Sequence, residues 1–328
     1  MTATSTDDVR ASTSGLRCRI EQLERLLRPT PLVPISVPGF RLFAKLEYMN
    51  PVGSIKDRSA YWILKRAVER GQIRADTTLI ESSSGNFAIA LASYAQLLGL
   101  RFIPVIDPNI LPVHESFLRR VCETVVKVEA PDDTGGYLKT RLNRVHELCA
   151  CTPGAFWTNQ YGNGDGVEAH YALTAQEVCG ALPTLDYAFI GVSTGGTIVG
   201  MSRRLKERYP AITIVAVDAK GSVIFGGPPQ RRHIPGLGAS IVPPLIAQAH
   251  IDEIAIVSET EAAAGCRALL WEHGLFVGGS TGSSFAAVQR FAKRQRASPA
   301  PTAIFLCADR GTAYLDTVFD SGWISRLD

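Results

Sequence analysis

The sequence carries little net charge and has no long apolar run. Lys and Arg number 34 against 31 Asp and Glu, a net charge of +3 over 328 residues, and no basic block stands out. A nucleic-acid partner is therefore not expected. No segment approaches the roughly 18 apolar residues of a membrane helix. The polar N-terminus also lacks the apolar core of a signal peptide. We expect a cytoplasmic protein, with no membrane partner and a disordered tail over residues 1–15.

Common catalytic and metal motifs are missing as well. The sequence contains no HExxH and no acidic metal cluster. Its seven cysteines are odd in number and scattered, and most lie in apolar surroundings, which is typical of reduced thiols in a cytoplasm. Cys149 and Cys151 lack a second pair at zinc-finger spacing, so no metal site is predicted.

What the sequence does have is a regular alternation of short apolar runs and longer amphipathic ones. Apolar strands of this kind are typical of parallel sheets buried on both faces. About ten of them are too many for one small sheet, so we predict an α/β protein of two domains with mainly parallel sheets. The predicted strands read RLFAKLE, TLIES, RFIPVI, TVVKVE, AFWTNQ, YAFIGV, ITIVAVD, EIAIVS, LFVGG and AIFLCAD.

Ligands of such folds bind where strands pass into helices, and four junctions there are rich in small residues. The first is NPVGSIKDRSA, in which Lys56 comes just before a predicted helix. A desolvated lysine has a lowered pKa, and its free amine can act as nucleophile and base. The alternative is an ordinary exposed lysine.

The other three junctions offer backbone N–H groups and hydroxyls. ESSSGNFA, residues 81–88, is either an anion cradle or a capped helix start. GVSTGGTIVG, residues 191–200, suits a phosphate bound by main-chain N–H groups, although a tight turn is the alternative. VGGSTGSS, residues 277–284, places Ser280 after a predicted strand, with a helix cap as the alternative. His170 lies inside a predicted helix, and we interpret it as structural.

These four motifs, in this order, resemble the cysteine synthase and cystathionine β-synthase family of fold-type II pyridoxal-phosphate enzymes. The resemblance extends from RPTPL at residues 28–32 through CADRGTAYLDT. It implies the fold of the tryptophan synthase β-subunit, pyridoxal 5′-phosphate as cofactor, and a homodimer. We predict a smaller domain over residues 46–160, and a larger cofactor-binding domain over 16–45 plus 161–328.

The resemblance also implies roles for individual residues. Lys56 would bind the cofactor covalently and move the substrate's α-proton, so that a leaving group departs from the β-carbon and a nucleophile replaces it. The remaining roles are Asn86 on the ring's 3′-oxygen, Ser193, Thr194, Gly195, Gly196 and Thr197 on the phosphate, Ser280 at the pyridine nitrogen, and Ser83, Ser84 and Gly85 on the substrate carboxylate with Gln160 nearby.

Departures from the family pattern bear on the substrates. Phe87 stands where cysteine synthases carry a threonine beside the substrate carboxylate, which disfavours plain cysteine synthesis. Residues 135–148 and 157–171 resemble the branch that joins O-phospho-L-serine to L-glutamate, the first step towards L-2,3-diaminopropionate in siderophore and antibiotic pathways.

Two further residues are predicted to contact these anionic substrates. Arg141 could bind a carboxylate or phosphate, and Tyr161 could donate its hydroxyl; the alternatives are a helix-surface arginine and a core aromatic. The sequence NGDG departs from the Asn-Pro-x-x-Asn of relatives, which leaves this loop's contacts open.

Two other functions stay open at this point. One is a cysteine synthase that uses sulfide with O-acetyl-L-serine or O-phospho-L-serine. The other is a non-catalytic binding protein that kept the fold, which the retention of Lys56, Asn86 and Ser280 disfavours.

Overall fold

The structure is a computed structural model that describes residues 13–133 and 135–327. The strands of the described chain are Leu32–Val37 (β1), Phe40–Lys45 (β2), Thr78–Ser82 (β3), Arg101–Ile106 (β4), Val126–Lys127 (β5), Ala155–Trp157 (β6), Tyr187–Gly191 (β7), Thr213–Ala219 (β8), Glu253–Val257 (β9) and Thr302–Leu306 (β10). Its α-helices are Thr13–Leu26 (α1), Lys56–Glu69 (α2), Asn86–Leu98 (α3), Pro112–Val121 (α4), Leu138–Cys151 (α5), Gly164–Ala169 (α6), Gln176–Ala181 (α7), Gly196–Arg208 (α8), Glu259–His273 (α9), Gly279–Ala292 (α10) and Ser321–Ile324 (α11).

The strands form two sheets, and both are mainly parallel. The larger has the order β1-β2-β10-β7-β8-β9, and only its edge pair β1 and β2 is antiparallel. The smaller has the order β5-β4-β3-β6 and is parallel throughout. The interior strands β3 and β10 are buried at every position, as parallel strands covered by helices on both faces must be. The predicted α/β class is confirmed.

The chain divides into two compact units, each with one sheet. The first comprises the described chain up to Arg28 together with Ala60–Asn159, and it contains the smaller sheet. The second comprises Pro29–Ser59 and the described chain from Gln160 onward, and it contains the larger sheet. This grouping differs from the predicted domains at residues 16–28, 46–59 and 160. Residues 46–59 group with the larger sheet because the N–H groups of Tyr48 and Ile55 bond to carbonyls that follow β10.

The first described helix begins inside the segment that was expected to be a tail. Residues 1–12 of that segment lie outside the described chain, whereas residues 13–15 open α1. Leu16, Ile20 and Leu23 recur at helical spacing and are buried, which explains why the helix forms there.

Two strand predictions differ from the structure. LFVGG, residues 275–279, is no strand: only Val277 forms an isolated bridge, to Arg310. Residues 274–278 instead connect α9, which ends at His273, to α10, which begins at Gly279. Conversely, β1 was not predicted, because Pro34 interrupts its apolar pattern; as an edge strand it tolerates that proline.

The described chain shows neither disulfides nor a helix that could span a membrane. All seven cysteines are free thiols. No described helix combines the length and the apolar character that a bilayer crossing requires. Among residues 13–133 and 135–327, no three His, Cys, Asp or Glu side chains cluster as metal ligands would.

Candidate active site

One pocket of the second unit gathers residues from three of the four predicted junctions. It lies where β7 and β10 end and where α2, α8 and α10 begin, at the carboxyl edge of the sheet. The predicted residues that line it are Lys56, Ser193, Thr194, Gly195, Thr197 and Ser280. Gly196 follows Gly195 directly as the first residue of α8.

Lys56 is the first residue of α2, and the surroundings of its amine disfavour the charged form. Burial lowers the pKa of Lys56 from 10.5 to about 8. Among the described residues, no carboxylate lies within ion-pairing distance to restore the charge. A substantial fraction of the amine is therefore neutral at mildly alkaline pH, as a nucleophile or base must be.

We expect Lys56→Met to raise the melting temperature of the cofactor-free protein near neutral pH. The unfolded chain keeps an ordinary lysine pKa, so the folded state alone disfavours the charged amine. That cost is complete below the folded pKa of about 8 and is gone above the ordinary lysine pKa of 10.5. Differential scanning fluorimetry should show a gap between variant and wild type that narrows over this interval; a gap that widens with pH would contradict the assignment.

The loop before Lys56 is held by the side chain of Asp57. Its Oδ1 accepts from the N–H of Val52 at 2.9 Å, and its Oδ2 accepts from the N–H of Ser54 at 3.0 Å. The N–H of Ile55 donates to the carbonyl of Ala308, just past β10, at 2.8 Å. An acid in the first turn of a helix is also favoured by the helix dipole. These bonds fix where α2 begins, and with it the position of Lys56.

A buried network of ion pairs also anchors α2 through Arg58. Arg58 Nε donates to Glu47 Oε2 at 2.6 Å, and Arg58 Nη2 donates to Glu177 Oε2 at 2.8 Å. Lys45 bonds the same Glu177 and the hydroxyl of Thr30. Although burial raises it, the pKa of Glu47 falls to about 2 because the charges of Arg58 and Lys45 lie beside it. Glu47 therefore stays ionised although it is buried.

The turn from β7 into α8 has the geometry of an anion cradle. Gly195 adopts φ 96°, which favours glycine, and a Cβ there would lie 3.1 Å from Leu245 Cβ. The first N–H groups of α8 have no carbonyl of their own helix to bond, so they can bind an anion. Ser193 instead donates its hydroxyl to the carbonyl of Gly238 at 3.2 Å.

Ser280 lies in the first turn of α10 and does not cap it. The N-cap residue is Gly278, and no side chain bonds the free N–H groups there. Ser280 Oγ lies 4.0 Å from where a Cβ on Gly236 would be, so the two residues flank each other in the pocket. The alternative of a helix cap therefore does not apply to this serine.

The serine-rich loop belongs to the first unit, between β3 and α3. Ser83 Oγ accepts from the N–H of Ala88 at 3.2 Å and from that of Gly85 at 3.4 Å, which is the capping alternative. Ser84 is partly exposed and donates to Asp107 Oδ2 at 2.9 Å. Asn86 opens α3. The ring of Phe87 is 1% exposed, so it packs in the interior of this unit.

Arg141 is no surface arginine, because it joins this loop from α5. Its side chain is 11% exposed, and Nη1 donates to Ser84 Oγ at 3.2 Å. Nε lies 3.1 Å from Asp107 Oδ2, without the alignment of a hydrogen bond. Asp107 and Ser84 therefore position the guanidinium of Arg141. Both residues follow strands at the carboxyl edge of the smaller sheet. The guanidinium retains donors for a further anion.

Gln160 and Tyr161 belong to the second unit, in the loop before α6. Asn159 precedes them with φ 48°, a left-handed conformation that asparagine adopts more readily than most residues. Both side chains are partly buried, and neither is among the residues that line the pocket around Lys56 in the described chain.

Sequence reasoning missed Asp107 and the partners of Arg58. Asp107 follows β4 in VIDPN, at the same sheet edge as the serine loop, so its place after an apolar run was the available signal. Glu47 and Glu177 lie 11 and 119 residues from Arg58, and no local pattern links them.

The pocket fits a phosphorylated pyridine aldehyde. A desolvated lysine amine can attack an aldehyde, and the start of α8 can receive a phosphate without a second cation. The glycines at 195 and 236 leave the wall open where a Cβ would narrow it. Lys56, the turn before α8 and Ser280 are the residues that could hold such a cofactor.

Comparison with known proteins defines the class. A family model described as "Pyridoxal-phosphate dependent enzyme" matches residues 23–308, and the chain belongs to this family. It is a pyridoxal-phosphate-dependent enzyme of the kind that carries out β-replacement or transfer reactions on amino acids.

Three individual proteins are similar to this chain over most of its length. The chain is 45% identical over 287 residues to the N-(2-amino-2-carboxyethyl)-L-glutamate synthase of Ralstonia nicotianae, covering 87% of this chain and 84% of that protein. The solved O-acetylserine-dependent cystathionine β-synthase of Helicobacter pylori superposes with a TM-score of 0.83 at 29% identity, over 90% of this chain and 97% of that one. A solved O-ureido-L-serine synthase gives the same TM-score at 28% identity, over 91% and 95% of the two chains. The predicted family is confirmed.

Proposed function

We propose that the protein joins O-phospho-L-serine to L-glutamate, giving N-(2-amino-2-carboxyethyl)-L-glutamate and phosphate. The observation that carries this proposal is the 45% identity, along 87% of the chain, to the synthase of that product. The glutamate nitrogen forms a bond to the β-carbon of serine, the carbon–oxygen bond breaks, and phosphate leaves. This would be the first step towards L-2,3-diaminopropionate for a siderophore or an antibiotic. We further propose that the enzyme is a homodimer.

Lys56 is assigned the covalent and proton-transfer role. When bound, pyridoxal phosphate supplies an electron sink that weakens bonds at the α- and β-carbons of an amino acid. The Lys56 amine has a pKa of about 8, so it can accept the α-proton and later return one. Ser193 through Thr197 would hold the phosphate, Ser280 would lie at the ring nitrogen, and Asn86 would bond the 3′-oxygen. Asp57 and Arg58 keep the helix that carries Lys56 in place.

The substrates are held by groups suited to anions. Ser83, Ser84 and Gly85 receive the substrate carboxylate, and Gln160 and Tyr161 add polar contacts. O-phosphoserine and glutamate each bring more negative charge than O-acetylserine, and Arg141 supplies a buried cation to match it. Until an anionic substrate binds, the carboxylate of Asp107 neutralises part of the positive charge of Arg141.

The test is product analysis with matched nucleophiles. O-phosphoserine with glutamate should give a mass spectrum containing the glutamate adduct, together with phosphate in equal amount. O-acetylserine with glutamate should react more slowly, because its acetyl group presents no dianion to Arg141.

Sulfide provides the competing outcome. Formation of cysteine from O-phosphoserine or O-acetylserine and sulfide, with no glutamate adduct, would replace this proposal with a cysteine synthase. Arg141→Gln adds a second arm, since it should weaken O-phosphoserine use more than O-acetylserine use. Equal losses for both substrates would remove Arg141 from the substrate site.

A further inference from the structure

His170 links two parts of the pocket wall that the sequence holds far apart. The side chain is completely buried, and its Nε2 lies 3.0 Å from Ser59 Oγ and 3.2 Å from Thr197 Oγ1. Ser59 lies one helical turn after Lys56 on α2, and Thr197 is in the first turn of α8. Its Nδ1 lies 3.0 Å from Thr174 Oγ1. One imidazole thus touches both the lysine-bearing helix and the anion cradle.

The local backbone is built to bring the ring there. His170–Ala175 forms a π-helical turn between α6 and α7, a geometry that frequently marks functional sites. Helix α8 packs against this turn through Gly200, where a Cβ would lie 2.9 Å from His170 Cβ and 2.3 Å from the Val167 carbonyl oxygen. Only glycine permits this approach, which sets the distance between Thr197 and the ring.

The ring is neutral under working conditions. Burial, together with the nearby charge of Lys56, lowers the pKa of His170 to about 3. A neutral imidazole has one N–H donor and one acceptor. It therefore constrains the direction of the hydroxyls on either side without adding charge beside an anion.

We propose that His170 is a positioning residue that orients the Thr197 hydroxyl towards the cofactor phosphate and couples the phosphate cradle to the helix carrying Lys56. This proposal rests on the assignment of Thr197 to the phosphate under the proposed function. Among the described residues, His170 is not one of those that line the pocket around Lys56, and it acts through Thr197 and Ser59.

The test distinguishes a specific loss of affinity for the cofactor's phosphate group from a general loss of protein structure. Full-length wild-type protein and His170→Phe are freed of cofactor and titrated with pyridoxal 5′-phosphate and, separately, with pyridoxal, which lacks the phosphate. His170→Phe should bind pyridoxal 5′-phosphate about tenfold more weakly, the effect of weakening one hydrogen bond to a charged group. Its affinity for pyridoxal should stay within about twofold of the wild type.

Three further variants keep the result interpretable. His170→Gln, which retains a nitrogen donor, should recover most of the lost affinity. Thr197→Val should lose affinity for the phosphorylated ligand alone, and combining it with His170→Phe should add little, because both act on one hydroxyl. His250→Phe, at an exposed histidine, should change neither affinity.

The outcomes also distinguish this inference from the proposed function. Equal weakening of both ligands in His170→Phe and His170→Gln, or additive losses in the double variant, would show that His170 is merely structural. Unchanged affinity for both ligands would exclude any role at the cradle. If borohydride fixes no cofactor to Lys56 in the wild type, the proposed function itself fails, whatever His170 does.

Discussion

Lys56→Ala is expected to abolish turnover and covalent cofactor attachment together. Loss of both the nucleophilic amine and the base should lower the rate by at least about 1,000-fold. The pocket wall formed by residues 193–195, Thr197 and Ser280 keeps its sequence, so the variant should still bind pyridoxal phosphate non-covalently. Its absorbance should then be that of the free aldehyde.

Two measurements check this result. Borohydride reduction followed by peptide mapping should tag the peptide containing position 56 in the wild type and nothing in the variant. Lys65→Ala is the matched control, since Lys65 lies on the same helix but pairs with Glu24 at 3.0 Å and is partly exposed. It should keep full activity and the tag. A reduced tag on another lysine of the wild type would end the assignment.

The four motifs could be found from sequence because each is local. A strand end, a few small residues and a helix start occur within about ten residues, and the parallel-sheet rule then places such junctions at one edge. Three of these motifs contain residues that the structure brings to one pocket: Lys56, Ser193, Thr194, Gly195, Thr197 and Ser280. Short-range sequence spacing is therefore enough to predict such strand-to-helix junctions.

Contacts between distant segments could not be predicted. Arg141 looks like one of many basic residues on an amphipathic helix, and only the fold shows that Asp107 lies beside it. His170 was interpreted as structural because it lies in a helix; the fold adds its contacts with Ser59 and Thr197. Burial and partner choice depend on packing, which a single sequence does not display.

Arg58→Met is expected to destabilise the protein by about 3–5 kcal/mol, because it removes the main cation beside fully buried Glu47. Arg58 is 2% exposed and Glu47 is fully buried, so water cannot replace the lost partner. Chemical denaturation would measure the loss. Arg66→Met is the matched control: Arg66 is on the same helix and pairs with Glu69, but it is 43% exposed, so its loss should cost at most about 1 kcal/mol.

The destabilisation by Arg58→Met should depend on pH in a defined direction. In the wild type, the pKa of Glu47 is held at about 2, below its ordinary value of 4.5. Its stabilising contribution is therefore present above pH 4.5 and fades as the pH falls towards 2. Without Arg58, burial dominates and raises the pKa of Glu47, so the variant gains stability on acidification as the carboxylate becomes neutral. The difference in unfolding free energy should therefore shrink below about pH 5 and be largest near neutrality. A difference that is constant across this range would mean that lost packing, and not an uncompensated carboxylate, makes Arg58 necessary.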